Sequence, residues 1–363
     1  MSILSVVVFI LVFGLVVLVH ELGHFLAARK AGVSVDEFGL GMPPRIWGIK
    51  RGKTIYSLNW IPLGGFVRLE GEGTEDGVKS AHSLRHKSFW VRAVVIVGGV
   101  VMNFLLAYVL VAIGFWAGMP PLATNPATLV ANPAQIQASV RIAQIQPGSA
   151  ADLAGLQAGD SVLKIGDKVV LSVDELQSDV AASGATANIQ IERAGELLTI
   201  QTKPQLVDGQ RLLGIYAQEY VSRVHYTWWK VPVLAAIDFG HASRDVWKGM
   251  MNFFAGLIET GKVSQDVVGP LGIAAITADA LKVGFLAVLQ FTILLSINLG
   301  FVNMLPVPAL DGGRLLMLII EAIVPNRKWS TQIESTVNGV GFILLMVLVV
   351  LVTYRDVIRI FVK

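Results

Sequence analysis

Residues 3–28 read ILSVVVFILVFGLVVLVHELGHFLAA, and this stretch decides the fold. A helix over it, rising about 1.5 Å per residue, is long enough to cross the roughly 30 Å hydrocarbon core of a bilayer. Its ionisable residues are confined to His20, Glu21 and His24. A cleaved signal peptide is the rival, but residues 1 and 2 carry no basic charge. The apolar run before His20 also exceeds the usual roughly 7 to 15 residues. Three further apolar stretches lie downstream. Val91–Met119 has Asn103 as its one strongly polar interior residue. Val283–Leu305 carries Asn298 and Asn303 and ends in Pro306-Val307-Pro308. Val340–Val352 is short but extends through Asn338-Gly339 and Thr353-Tyr354. The composition agrees: 54% of residues are hydrophobic and 15% charged, against about 25% charged in globular chains. This composition argues against a wholly soluble protein.

Charge and cysteine content narrow the chemistry. The net charge of +3 leaves no basic stripe of the kind nucleic-acid binding needs. The absence of cysteine excludes disulfides, iron–sulfur clusters, thiolate zinc sites and cysteine nucleophiles together. Any metal must be held by His, Asp or Glu.

Between the second and third apolar stretches the composition is that of a soluble domain. Residues 120–137 read as a linker. Strands are expected at Ser139–Gln146, Ser161–Ile165, Ala187–Arg193 and Leu197–Thr202. A short helix is expected after the Pro147-Gly148-Ser149 turn and another at Ser172–Ala182. Tyr226–Thr260 is apolar in patches but carries too many charges for a span, so a helix on the membrane surface is expected there. Orientation follows from Arg29, Lys30, Arg45, Lys79, Arg85, Lys87 and Arg92, which place the loop between the first two spans in the cytoplasm. Arg355, Arg359 and Lys363 at the other end are a mild counter-signal.

His20-Glu21-Leu22-Gly23-His24 sets two imidazoles at i and i+4 on one helical face, the spacing that lets both bind one zinc ion. Glu21 beside them can take a proton from the attacking water. Ionisable groups inside a span are costly and persist where they face a partner or a water-filled cavity. The competing reading is a polar seam between helices. A catalytic zinc needs a third protein ligand. His82, His86, His225 and His241 lie in loop or surface segments, so Asp311 is the better candidate. It follows Pro306 and Pro308, which break the helix, and Gly312-Gly313 leaves the backbone room for close approach. One span separates the first from the third, so the two run in the same direction and both motifs arrive at one membrane depth. Taken alone, Asp311 also suits an ordinary helix-terminal turn. Asn303 suits a hydrogen bond to substrate backbone or a developing oxyanion, and equally one between helices. Asn103 has the same two readings, with packing favoured, and Gly14 and Gly23 read as close-packing positions.

His-Glu-Leu-Gly-His at 20–24, Asn-Met-Leu-Pro-Val-Pro-Ala-Leu-Asp-Gly-Gly at 303–313 and a soluble insert between spans two and three resemble the site-2 protease family of intramembrane zinc metalloproteases. The likeness is strongest to its bacterial RseP and MmpA branch and extends over the whole chain. The stretch from Pro147-Gly148-Ser149-Ala150-Ala151 to Ala154-Gly155-Leu156-Gln157-Ala158-Gly159-Asp160 resembles a PDZ signature, and Gly269-Pro270-Leu271-Gly272-Ile273-Ala274 also matches. The insert has room for one PDZ domain, not two, which puts a two-domain size gate in doubt.

The resemblance implies a multi-pass α-helical membrane protein with four transmembrane helices, a membrane-associated β-hairpin and one inserted PDZ domain. The expected segments are helix one at 1–30, a cytoplasmic loop at 31–90 with the hairpin at 54–69, and helix two at 91–119. Then come the linker and PDZ domain at 120–218, a membrane-surface segment at 219–282, helix three at 283–313, and a loop with helix four at 314–363. The resemblance implies that His20, His24 and Asp311 bind Zn2+ and that Glu21 is the general base. Asn303 and the hairpin residues Gly64, Gly65 and Phe66 would bind substrate, the strand edge holding it extended. An ordinary cytoplasmic hairpin is the alternative reading of 54–69. The implied substrates are single-span membrane proteins in the bilayer, such as anti-sigma factors after a first cut or remnant signal peptides. The implied location is a bacterial cytoplasmic membrane, with the PDZ domain outside and the active site toward the cytoplasm. An inactive PDZ-bearing scaffold is the alternative function. An ion transporter is disfavoured because the spans show no inverted repeat.

Overall fold

The computed structural model describes residues 2–70, 82–130, 136–170, 172–193, 196–207, 210–261, 268–324 and 331–361; Lys79 lies outside them. In chain order the elements are α1 (Ile3–Lys30), β1 (Val35–Arg51), β2 (Thr54–Leu69), α2 (Phe89–Trp116) and α3 (Pro126–Leu129). Next come β3 (Ile136–Ile145), α4 (Ala150–Leu153), β4 (Ser161–Ile165), β5 (Lys168–Val169), α5 (Val173–Ala182), β6 (Ala187–Arg193) and β7 (Glu196–Thr202). The chain closes with β8 (Gln205–Val207), β9 (Gln210–Leu212), β10 (Ile215–Val224), α6 (Val231–Thr260), α7 (Pro270–Val283), α8 (Phe285–Asn303), α9 (Asp311–Ile323) and α10 (Thr331–Phe361). Two compact units result, one of residues 1–114 and 232–363, the other of residues 115–231.

In the first unit, four helices among the described residues are long and apolar enough to cross a membrane: α1, α2, α8 and most of α10. Helix α1 starts at Ser2, whose hydroxyl accepts the Ser5 N–H at 3.2 Å. It ends with Arg29 and Lys30 in the last turn, where they complement the helix dipole. Helix α7 packs against α1, α8 and α10. Its first turn is capped from α10 by Asp356, a buried carboxylate that accepts the Gly272 N–H at 2.8 Å. A Cβ on Gly269 would stand 2.7 Å from Asp356 Oδ2, which accounts for the Gly-Pro-Leu-Gly pattern at 269–272. Asp356→Leu removes this cap and is expected to cost about 1 kcal/mol, read as a lower unfolding temperature in detergent.

One expectation for this unit is corrected. The hairpin expected at 54–69 is a single strand, β2, whose partner is β1, joined to it at Gly52-Lys53. Arg51 pairs with Thr54 there, and Gly52 takes the positive φ of +61°. The ribbon doubles back on itself, because Phe38, Gly39 and Leu40 each face a partner in 56–58 and another in 65–67. The segment expected as a charged, amphipathic helix at Tyr226–Thr260 contains α6, which is not among the four helices long and apolar enough to cross a membrane. Phe239 of α6 meets Phe104 and Tyr108 of α2, with ring centroids 6.2 and 6.5 Å apart, and Trp247 meets Phe301 of α8 at 5.4 Å. Helix α6 thus touches α2 and α8 through Phe239 and Trp247. Buried Val231, Ala235, Asp238 and Ala242 form one stripe, leaving Arg244, Asp245 and Lys248 exposed on the remaining surface.

The second unit is a sheet in the order β10-β3-β4-β6-β7, with β5 on β4 and a separate β8–β9 pair. Its core joins Val140, Ile142, Val162, Ile189 and Ile191 of the sheet to Leu176 and Val180 of α5. The buried Asp160 carboxylate receives Arg193 Nε and Nη2, both at 2.7 Å, which ties β6 to the turn before β4. The strand expected from Ser139 is β3, which lies inside the sheet with β10 on one side and β4 on the other. Strand β10 takes the edge. It was not expected, because Gln218, Glu219 and Arg223 interrupt its apolar pattern.

Candidate metal centre

The site is built where α1 crosses α2. A Cβ on Gly23 would strike the Gly98 carbonyl, and one on Gly98 would stand 2.9 Å from Gly23 O, so the backbones meet at a pair of glycines. This brings Val95, Gly99 and Asn103, four residues apart on one face of α2, against the two imidazoles of α1. Gly14, by contrast, has nothing within 4 Å of its Cβ position, so its expected packing role is not found. His24 Nδ1 lies 2.9 Å from the Val95 carbonyl. A carbonyl only accepts, so in the neutral ring Nδ1 carries the proton and Nε2 presents its lone pair.

Asp311 opens α9 after a tight turn over residues 304–310. Cβ atoms at Gly312 and Gly313 would strike the carbonyls of Met304, Leu305 and Val307, so this turn closes only over glycines. Ala309 sits in the left-handed region at φ +74°, its N–H donated to Asn338 Oδ1 of α10 at 3.2 Å. Asn338→Ala removes that support from the turn leading into Asp311 and is expected to weaken zinc binding by about tenfold. Chelator competition measures it.

Three electron-pair donors converge. The Nε2 atoms of His20 and His24 are 3.2 Å apart, and Asp311 Oδ2 lies 3.1 and 3.3 Å from them. That oxygen is buried with no hydrogen-bond partner. Donors this close repel unless a cation or a shared proton lies among them, and two imidazoles with one carboxylate leave zinc an open position. The space exists because residue 99 is glycine: a Cβ there would stand 2.5 Å from His24 Nε2 and 2.8 Å from His20 Nε2. The residues present therefore fit zinc. Among the described residues, His20, His24 and Asp311 form a cluster whose ligand atoms all lie within 4.8 Å of one another. His82, His86, His225 and His241 are not in it; His82 Nδ1 instead lies 3.3 Å from Gly32 O.

His20, Glu21, His24, Gly64, Gly65, Phe66, Asn303 and Asp311, the expected catalytic, metal and substrate residues, line one cavity of ≈ 410 Å³, whereas Asn103 is not in its lining. Glu21 faces the ribbon: a Cβ on Gly65 would stand 3.2 Å from Glu21 Cγ. The Asn303 amide lies 3.4 Å from His20 Nε2, at the end of α8. Gly99, Val95 and Arg314 are additions, Arg314 lining the same cavity. The available signal for the first was the Gly99-x-x-x-Asn103 spacing, which puts a small residue and an amide on one face of α2.

Membrane-spanning helices enclosing a His-His-Asp cluster, with a glutamate one residue from the first ligand, have the make-up of a metal-dependent hydrolase. A profile of peptidase family M50 matches residues 8–348, and the chain belongs to that family. It is a zinc metalloprotease. Relatives match end to end. A protein of Clostridium perfringens named as a zinc metalloprotease is 33% identical over 96% of this chain and 97% of its own length. The zinc metalloprotease RasP of Geobacillus kaustophilus is 30% identical over 98% of each. The regulator of sigma-W protease RasP of Bacillus subtilis is 29% identical over 98% of this chain and 99% of its own. The solved PDZ domain of the SdrC-like protein of Listeria innocua matches 24% of the chain at 22% identity and a TM-score of 0.20.

Proposed function

We propose that this protein cuts single-span membrane proteins within the bilayer, with His20, His24 and Asp311 holding zinc and Glu21 as general base. The convergence of the three ligand atoms on a cavity that Glu21 also lines carries this reading. Bound zinc supplies Lewis acidity and a water activated near neutral pH. Glu21 takes the proton from the attacking water and returns it to the leaving amine. Asn303, whose amide lies 3.4 Å from His20 Nε2, would donate to the oxygen of the scissile carbonyl as it gains charge.

A helical substrate hides its carbonyls in hydrogen bonds, so it must be opened first. The ribbon suits that task. Residues 65–69 pair with 35–40 on one side, and among the described residues no strand pairs with the other. The ribbon's pattern is inverted relative to a soluble hairpin: Ser57 and Asn59 are buried while Leu58 and Trp60 are exposed. Lipid facing the apolar side chains accounts for this, and strand addition beside Gly65 would hold substrate extended next to Glu21.

The basic residues between α1 and α2 put the site toward the cytoplasm and the insert outside. We read the insert as a PDZ domain whose groove lies between α5 and the start of β10, a cavity of ≈ 280 Å³ lined by Val173, Leu176, Val180, Leu213 and Ile215. Substrates are expected to be remnants of a first cut, such as anti-sigma factors or signal peptides; the name of the Bacillus subtilis relative ties that protein to sigma-W. The test is cleavage of one-span substrates with extracytoplasmic parts of graded length. Cleavage that falls as the part lengthens supports the reading; cleavage of soluble peptides alone overturns it.

A further inference from the structure

Asn103 sits at the middle of α2 with no exposed surface. Its backbone carbonyl accepts the Ser296 hydroxyl of α8 at 2.8 Å, which fixes this point of α2 against α8. Its side-chain amide reaches the other way, to 3.3 Å from His20 Nδ1. The other arm of the amide is buried with no hydrogen-bond partner. Amide oxygen and nitrogen are interchangeable on heavy-atom positions. In either orientation the far atom stays unpartnered, so the contact with the ring is what the buried amide provides. An apolar side chain of the same size would fill the space without burying an amide, which speaks against a packing role alone.

The two orientations have opposite consequences. With nitrogen toward the ring, His20 Nδ1 accepts and the neutral ring carries its proton on Nε2, among the other two ligand atoms. With oxygen toward the ring, Nδ1–H donates and the Nε2 lone pair points into the site, as Val95 already enforces for His24. We infer that Asn103 is a positioning residue that accepts the Nδ1–H of His20 through its amide oxygen, holding that ring in the tautomer able to bind zinc. The inference rests on the reading of His20 as a zinc ligand.

The experiment is zinc retention of the purified full-length protein against a chelator, for wild type, His20→Ala, Asn103→Leu, Asn103→Asp and Ser296→Ala. Asn103→Leu is expected to weaken zinc binding by about 10- to 100-fold. Asn103→Asp keeps an acceptor in place and should stay within a few-fold of wild type, as should Ser296→Ala. Unchanged zinc in Asn103→Leu, or equal losses in the Leu and Asp variants, overturns the inference. Asn103→Val replaces the Leu variant if that one does not fold. Should His20→Ala keep its zinc, the ligand reading fails and the inference with it; loss in His20→Ala with retention in Asn103→Leu sinks the inference alone.

Discussion

Glu21→Gln is expected to keep zinc at the wild-type level and to lower cleavage of a single-span substrate by about 10²- to 10⁴-fold. Glutamine preserves the volume beside Gly65, where the ribbon closes on this side chain, so substrate access is retained. It cannot accept a proton from water or hand one to the leaving amine. Glu21 is outside the three-ligand cluster, which is why metal and activity should part company in this variant. Zinc by elemental analysis and cleavage by gel give the two readouts. Cleavage near the wild-type rate would remove Glu21 from the reaction, and loss of zinc would make it part of the metal site.

Gly99→Ala should have a comparable effect by the opposite route, losing zinc and activity together. The added methyl carbon would stand 2.5 Å from His24 Nε2 and 2.7 Å from His20 Cε1, inside the space the ligands enclose. Backbone movement is costly there, because α2 is held against α1 at Gly98 and Gly23. Gly14→Ala, on the same helix as the ligands but facing open space, should leave zinc and cleavage unchanged. Zinc bound normally in Gly99→Ala would place the metal elsewhere.

The helices and the site were legible in the sequence for one reason: in a membrane both carry strong signals. An apolar run crossing about 30 Å is hard to mistake, and His20, Glu21 and His24 stand out against it because charge there is expensive. Asp311 was legible through its punctuation, since the prolines and glycines around it have the backbone reason that the Met304, Leu305 and Val307 carbonyls supply. What was hidden depends on pairing over distance. Strand β1 contains Pro43, Pro44 and several glycines, so its local pattern argues against a strand until β2 is laid beside it. Strand β10 joins β3 across some 70 residues, and no periodicity announces that register. Gly99 resembles an ordinary residue of an apolar helix and Asn103 stands out only by its polarity; the crossing of α1 and α2 is what turns both toward His20 and His24.

The ligand set itself is tested most directly by zinc K-edge X-ray absorption of the zinc-loaded, full-length protein. Two imidazoles with the remaining ligands oxygen are predicted, the second imidazole vanishing in His24→Ala and the carboxylate in Asp311→Ala. Three imidazoles would bring in His82, His86, His225 or His241, and that result, or zinc retained unchanged in both variants, contradicts the His20–His24–Asp311 centre.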